Sequence, residues 1–397
     1  MILITNIIMH LLNFFKIFRC VILNLIKIII KSLALDKLKT VKSKNLMNKP
    51  KILFIGGSLN QTTIMHKIAK ELPECDAYFT PYYASGPLWV MTKLKILEFT
   101  IMGGTFKRDT LNYIRSNNLK LDYEGKNNDY DLVFTCQDLI VPKNIKKFKT
   151  ILVQEGMTDP PDWRYHVTRF LGLPRWCAST SMTGLSHQYD YFCVASKGFK
   201  DQFIERGVNP DKIHVTGIPN FDDFNKLKTL DFEHKNFVLV ATSDIRETKK
   251  YENRKKFIIK AQKIANGRKL IFKLHPNEII EKRTAEIKKY APEALVYHGV
   301  SIDPMIANCD VLLTRFSSTI FPALALGKEV HCDIDVDHIK RLKPIQNNGT
   351  SAKAIAEVGR LLLASTKPVI RVKEKNKYLE DLKLDIKYLL TRNLAPK

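Results

Sequence analysis

Short, wholly apolar runs recur along this chain, each followed by a turn and then by a stretch with helical spacing. The clearest are Ile52-Leu53-Phe54-Ile55, Leu132-Val133-Phe134, Ile151-Leu152-Val153, Phe237-Val238-Leu239-Val240 and Leu270-Ile271-Phe272. Runs without polar alternation read as strands buried on both faces, as in parallel sheets whose crossovers are helices. Strands alternating with helices along the whole chain predict an α/β fold of doubly wound parallel sheets.

At 397 residues the chain is long enough for two such domains, each with its own core. The first series places strands at 52–55, 131–135, 150–153, 191–195 and 213–216, with helices over 63–72 and 197–206. Residues 88–100 read as a further helix beside the sheet, buried or membrane-facing. A turn cluster, Gly217-Ile218-Pro219-Asn220-Phe221-Asp222, and a polar stretch over 223–234 then interrupt the pattern. The second series has strands at 237–241, 269–273, 294–297, 310–314 and 329–331. Its helices are expected over 251–265, 278–290, 302–307, 318–326 and 351–363. The expected organisation is a leader over 1–48, a Rossmann-like domain over 49–222 and a linker over 223–235. A second Rossmann-like domain over 236–370 and a C-terminal helical segment over 371–397 complete it; the helix at 378–390 is placed to cross back onto the first domain. Two doubly wound domains facing a cleft put a ligand at the carboxyl ends of both sheets.

The leader stands apart. Asn13, Lys16, Cys20, Asn24, Lys27 and Lys31 recur at spacings of three and four, which sets polar groups on one face of an otherwise apolar helix. A basic amphipathic helix of this kind lies in a membrane interface. The charges interrupt the run too early for a spanning helix of about 20 residues, and no small-residue cleavage site follows. The other reading is that translation begins at Met47. A formal net charge of +24 suits phosphate-rich partners such as nucleic acid, anionic lipid or nucleotide-activated substrates, or else a lysine bias spread over solvated faces. The lysines are dispersed without an Arg-rich block, which weighs against nucleic acid. The seven cysteines are scattered with no CxxC, so no zinc site or disulfide framework is indicated. A reducing compartment fits, with a cytoplasmic protein peripheral on the inner face of the membrane.

Candidate chemistry sits at strand ends. Val311-Leu312-Leu313-Thr314-Arg315-Phe316-Ser317-Ser318-Thr319 reads as a strand and a hydroxyl-rich turn before a helix. Ser and Thr there are ordinary N-caps, yet free N–H groups, the helix dipole and hydroxyl donors also make a phosphate site. Lys273-Leu274-His275-Pro276 ends another strand, so Lys273 and His275 could face the same anion as Ser317, Ser318 and Thr319. Arg315 either adds charge or pairs with a surface acid. In the first domain, Gln154-Glu155-Gly156 follows a strand directly and aims a carboxylate into the cleft opposite His275. A carboxylate shielded there can take a proton from a bound hydroxyl. Glu155 is the candidate base, with Asp159 and His166 as rivals. The segment 154–175, with Trp163, Arg164, Tyr165 and Arg169, is expected to be a long loop at a second substrate's site. Gly56-Gly57-Ser58 lacks a phosphate-loop fingerprint and reads as a tight crossover. Ser179, Thr180, Ser181 and Ser196 read as helix caps. GxSxG and HExxH are missing, so neither a hydrolase elbow nor a metal is expected.

The His275-Pro276 and Ser317-Ser318 pairing resembles the HP and SS motifs of certain GT-B-fold transferases. These include the CDP-glycerol glycerophosphotransferases of teichoic acid synthesis, capsule polysaccharide transferases and bacterial sialyltransferases. The resemblance covers about 49–363 and implies that His275, Ser317 and Ser318 hold a donor's phosphates. The sialyltransferase-like members carry an acidic pair before Gly as base; here Gln154 stands first and Glu155 second. The glycerophosphotransferases have a His at that turn, where this chain has Glu155. The turn His214-Val215-Thr216-Gly217-Ile218-Pro219-Asn220 resembles one ending the first domain of GT-B proteins, including UDP-N-acetylglucosamine 2-epimerases. Those epimerases carry paired acids where Phe321-Pro322 stands here, which disfavours that activity. What the resemblance implies is an inverting, metal-independent glycosyltransferase. It would move a sugar or polyol phosphate from a nucleotide-activated donor to a surface-glycan or lipid-linked acceptor, with no cofactor beyond the donor. The alternatives are an epimerase-like isomerase and a non-enzymatic basic protein that binds nucleic acid or membrane.

Overall fold

The computed structural model describes residues 49–98, 100–243, 251–366 and 369. The leader and the helix expected at 378–390 lie outside the described residues.

Lys51–Gly56 (β1) leads into Leu59–Lys70 (α1), whose first turn is capped by Ser58 Oγ accepting from Gln61 N–H (3.2 Å). Asp76–Pro81 (β2), Pro87–Lys93 (α2), Gly104–Ser116 (α3) and the short Lys120–Leu121 (β3) follow. Leu132–Thr135 (β4), Lys149–Val153 (β5), Trp163–Leu171 (α4), Tyr191–Val194 (β6), Lys197–Glu205 (α5) and Ile213–Val215 (β7) complete the first half. They form a seven-stranded sheet ordered β3-β2-β1-β4-β5-β6-β7 with parallel pairing. The apolar runs are its centre: Ile52, Leu53 and Phe54 have no exposed surface, and Phe134 stacks on Phe54 at 5.1 Å. The sequence pattern therefore did identify doubly buried strands.

The second half runs Val238–Ala241 (β8), Arg254–Ala265 (α6), Leu270–Lys273 (β9), Ile280–Tyr290 (α7) and Leu295–Tyr297 (β10). Asp303–Asn308 (α8), Val311–Leu313 (β11), Ile320–Ala325 (α9), Glu329–His331 (β12) and Val336–Leu342 (α10) follow. Its five strands are parallel and ordered β10-β9-β8-β11-β12. The architecture is thus two doubly wound Rossmann-like sheets facing a cleft.

One apolar cluster joins the halves. Phe321 of α9 packs on Phe199 of α5 and on Phe221, with ring centroids 6.0 and 5.7 Å apart. Beside it, Ser196 Oγ donates to the Leu342 carbonyl (3.0 Å) and Ile345 N–H to the Ala195 carbonyl (3.0 Å). Gly198 is required at this contact, because a Cβ there would lie 1.9 Å from the Arg341 carbonyl oxygen. After α10 the chain crosses back, and Ser351–Ala364 (α11) packs on the first sheet with Gly359 against Phe134. Lys149 Nζ donates to the Leu362 and Ser365 carbonyls (3.0 and 2.7 Å), satisfying the free end of α11.

Several elements differ from the sequence expectation. The helix expected over 88–100 ends at Lys93 and none of its residues is buried. Residues 163–171, expected in a loop, form α4, capped by Asp162 on the N–H groups of Arg164 and Tyr165. The helix expected from 318 begins at Ile320 and has no side-chain cap. Ser196 does cap α5, accepting from Phe199 N–H, but Ser179, Thr180 and Ser181 lie inside a 3-10 turn and cap nothing.

Candidate active site

The chain reverses its winding between β1 and β4 in the first sheet and between β8 and β11 in the second. Crevices outside the carboxyl ends of strands at such points are where open α/β sheets bind ligands. A cleft of about 930 Å³ opens there. Asn60, Cys136, Glu155 and Gly156 line it from the first sheet, and Thr242, Ser243, His275 and Phe316 to Thr319 from the second.

The Ser317-Ser318-Thr319 turn leaves β11 half-buried. Ser317 Oγ accepts from Thr319 Oγ1 (2.9 Å) and Thr319 N–H (3.3 Å), which fixes the turn and leaves the Ser317 hydroxyl proton to be donated outward. The Ile320 and Phe321 N–H groups are taken by the Ser317 and Ser318 carbonyls (3.3 and 3.2 Å). With α9 only six residues long, the groups this turn presents to the cleft are hydroxyls rather than a helix terminus. Ser243 Oγ, on the same wall after β8, is buried with no hydrogen-bond partner among the described residues.

His275 is held by a buried network that the sequence did not disclose. Its N–H donates to Thr242 Oγ1 and Glu278 Oε2, both at 3.0 Å. Glu278 also accepts from Thr242 Oγ1 and from Arg254 Nη2 (2.7 Å), and Arg254 Nε donates to Glu252 (2.7 Å). The three charged side chains are at most 1% exposed. Asn277 N–H donates to His275 Nδ1 (3.2 Å), so the neutral ring carries its proton on Nε2. That leaves Nε2 as the ring's donor.

Across the cleft, Glu155 accepts from Ser58 Oγ (3.1 Å), Asn60 Nδ2 (3.3 Å) and Gln61 Nε2. The first crossover turn thus orients this carboxylate. Gln154 is buried; its side chain bonds Gly156 O and Ala195 N–H (both 2.8 Å) and braces the loop. A Cβ placed on Gly156 would lie 4.0 Å from Ser318 Cβ, so the Glu155 loop and the hydroxyl turn meet across the cleft. Burial, and secondarily the Glu155 charge, push the Cys136 thiol well above its ordinary range.

The structure therefore brings together Glu155, His275, Ser317, Ser318 and Thr319. It leaves four expected residues off the cleft wall. Lys273 is buried, donating from Nζ to the Leu274 carbonyl (2.9 Å), and burial lowers its pKa. Arg315 pairs with Asp333 (2.6 Å). Asp159 is bonded to Thr180, and His166 is exposed on α4. Asp303, which sequence reading passed over, lines the cleft at the start of α8, and burial raises its pKa. A lone Asp before Pro gives no sequence signal beyond a helix start. Among the described residues no group of His, Cys, Asp and Glu is placed to hold a metal ion.

No family model matches the chain, and no curated protein matches it. Solved structures do. UDP-GlcNAc 2-epimerase from Neisseria meningitidis bound to UDP-GlcNAc is similar at 12% identity, over 78% of this chain and 100% of that one, with a TM-score of 0.51. The S. aureus MnaA–UDP co-structure is similar at 13% identity over 86% and 97% of the two chains, TM-score 0.48. The wall teichoic acid polymerase TagF is similar at 13% identity over 86% and 90%, TM-score 0.37. The first of these likenesses, with the two sheets and their shared cleft, shows that the chain has the GT-B fold.

Proposed function

We propose that the protein is an inverting glycosyltransferase that uses a nucleotide-activated donor and no metal cofactor. The observation that carries this reading is the meeting of the Glu155 loop with the Ser317-Ser318-Thr319 turn in one cleft that also holds His275. Enzymes of the same fold bind such donors: the Neisseria neighbour is bound to UDP-GlcNAc. In this reading the donor lies on the second sheet, with His275 Nε2–H and the Ser317, Ser318 and Thr319 hydroxyls on its phosphates. An acceptor hydroxyl attacks the anomeric carbon from the opposite side. The new C–O bond forms as the bond to phosphate breaks, the leaving nucleotide takes the electron pair, and Glu155 takes the proton. Donors fixed in advance stabilise the charge that develops on the leaving phosphate. The acceptor is a surface glycan or a lipid-linked glycan.

The test is a panel of UDP-, GDP- and CMP-sugars and CDP-glycerol, scored for protection against thermal unfolding and for turnover. His275→Ala is expected to reduce turnover by roughly 10²- to 10³-fold. Unchanged donor protection and turnover in that variant would refute the site. Epimerisation of UDP-N-acetylglucosamine with no acceptor present would decide for an isomerase instead.

A further inference from the structure

The chain has three tryptophans, and all three are exposed on one edge of the first sheet: Trp89 by 37%, Trp163 by 72% and Trp176 by 47%. The segments that carry them follow β2 and β5, and the loop between them follows β4, so all leave the carboxyl edge of a parallel sheet. They are continuous. Lys143 N–H donates to Ser85 Oγ (2.9 Å) just before α2, and Arg175 Nε donates to the Asp138 carbonyl (3.3 Å) beside Trp176. Helix α4 buries Tyr165, Thr168 and Arg169 and turns Trp163, Val167, Phe170 and Leu171 to solvent. On α2 nothing is buried, and Val90 and, just beyond it, Leu94 and Ile96 are exposed with Trp89. Single exposed apolar residues are ordinary, but a contiguous set of this size marks an interaction surface.

The charges identify what it meets. Lys93, Lys95 and Lys143 are exposed among these residues, and neither 86–97 nor 139–147 contains an acid; the acids beside Trp163 and Trp89 are neutralised, Asp162 by Arg164 (2.7 Å) and Glu124 by Lys126. A second copy of the chain, paired through the same patch, would set these lysines against their own duplicates. A lipid surface accepts both components: lysines meet anionic headgroups while indole rings settle at the headgroup boundary. We propose that this edge is a docking face for an anionic lipid bilayer, with Trp163, Phe170, Leu171 and Trp176 entering the headgroup region and Trp89, whose Nε1–H donates to Glu124 (3.2 Å), at its margin. The face is separate from the leader and independent of the donor reading, since it stands whatever reaction the cleft performs. It turns the carboxyl edge of the first sheet, where the cleft opens, toward lipid.

The leader contains no tryptophan, so indole emission from the full-length protein reports this edge alone. Vesicles of phosphatidylcholine and phosphatidylglycerol with brominated acyl chains are expected to shift the emission blue and quench it, and phosphatidylcholine alone to do so far less. Combining Trp163→Ala, Phe170→Ala and Leu171→Ala is expected to raise the lipid concentration for half-binding about tenfold or more. These side chains are exposed, so an unchanged unfolding temperature checks that the variant folds. Vesicle binding without quenching would overturn the proposal by placing the contact elsewhere. Shielding of the indoles by self-association in lipid-free sedimentation would overturn it in favour of a second copy.

Discussion

The two turns that face each other across the cleft are held by opposite means. His275 rests on charges sealed in the second domain, where Glu278 joins its N–H to Thr242 and Arg254 with almost no exposed surface. Glu155 is held by uncharged side chains of the first crossover, Ser58, Asn60 and Gln61, at a half-buried wall. A buried ion pair contributes little net stability when whole, but removing one partner strands a charge in the interior. A hydrogen bond from an uncharged side chain at a half-buried wall costs less to lose. The His275 side of the cleft is therefore tied to the integrity of its domain, while the Glu155 side can be altered without unfolding anything.

The largest expected effect tests the Glu155 side. Glu155→Gln keeps the shape and the loop but cannot take a proton, so turnover with the preferred donor should fall roughly 10²- to 10⁴-fold. Donor protection against unfolding and the unfolding temperature of the free protein should stay as they were. A parallel loss of stability would show that Glu155 is a structural acid and would break the contrast. On the other side, Glu278→Ala should cost about 3–5 kcal/mol in denaturant unfolding, because Arg254 is left buried beside a single carboxylate. If that variant unfolds like the parent, the network does not hold the His275 turn.

A smaller effect sharpens the comparison. Gln61→Ala removes one donor from Glu155 and none from the core network. A lost bond to a charged group of this kind is expected to lower turnover about tenfold, with little change in unfolding temperature. Steady-state rates at saturating donor would show it as a fall in kcat rather than a rise in KM.

These contrasts also explain what could be read from the sequence. The central strands were legible because a strand buried on both faces has no polar alternation to confuse with a surface element, as in Ile52 to Ile55. His275, Glu155 and the Ser317 turn were legible because each follows such a strand, and topology then fixes the edge they share. Two neighbouring strands on one side of the first sheet were not: Lys120–Leu121 is two exposed residues, and Asp76–Pro81 opens with half-exposed ones. Helix α4 was hidden because its apolar face points outward, so its periodicity does not mark a core. Lys273 misled for a related reason: its place at a strand end is right, but its side chain is buried and donates to Leu274 O instead of reaching the cleft. Glu278 and Arg254 stand 24 residues apart with no motif to join them, and only the meeting of the turn after β9 with the start of α6 makes them partners.

The smallest expected effect concerns Asp303, the cleft carboxyl whose pKa burial raises above its ordinary value of 3.8. Its folded state then holds the proton more tightly than its unfolded state does. Ionising it costs stability that is absent below about 3.8, grows as pH rises through the window up to the raised folded value, and is constant above it. Asp303→Asn removes that cost. At neutral pH the variant should unfold at a slightly higher temperature than the parent, by an amount within about 1 kcal/mol, and the gap should close as pH falls toward 3.8. A gap of the same size at every pH would mean that the carboxyl ionises alike in both states and that this part of the wall is wetter than its burial implies. A nucleotide that binds against Asp303 would enlarge the difference between the two proteins in its presence. Melting curves across pH with and without each nucleotide therefore separate a carboxyl that is merely enclosed from one that the ligand touches.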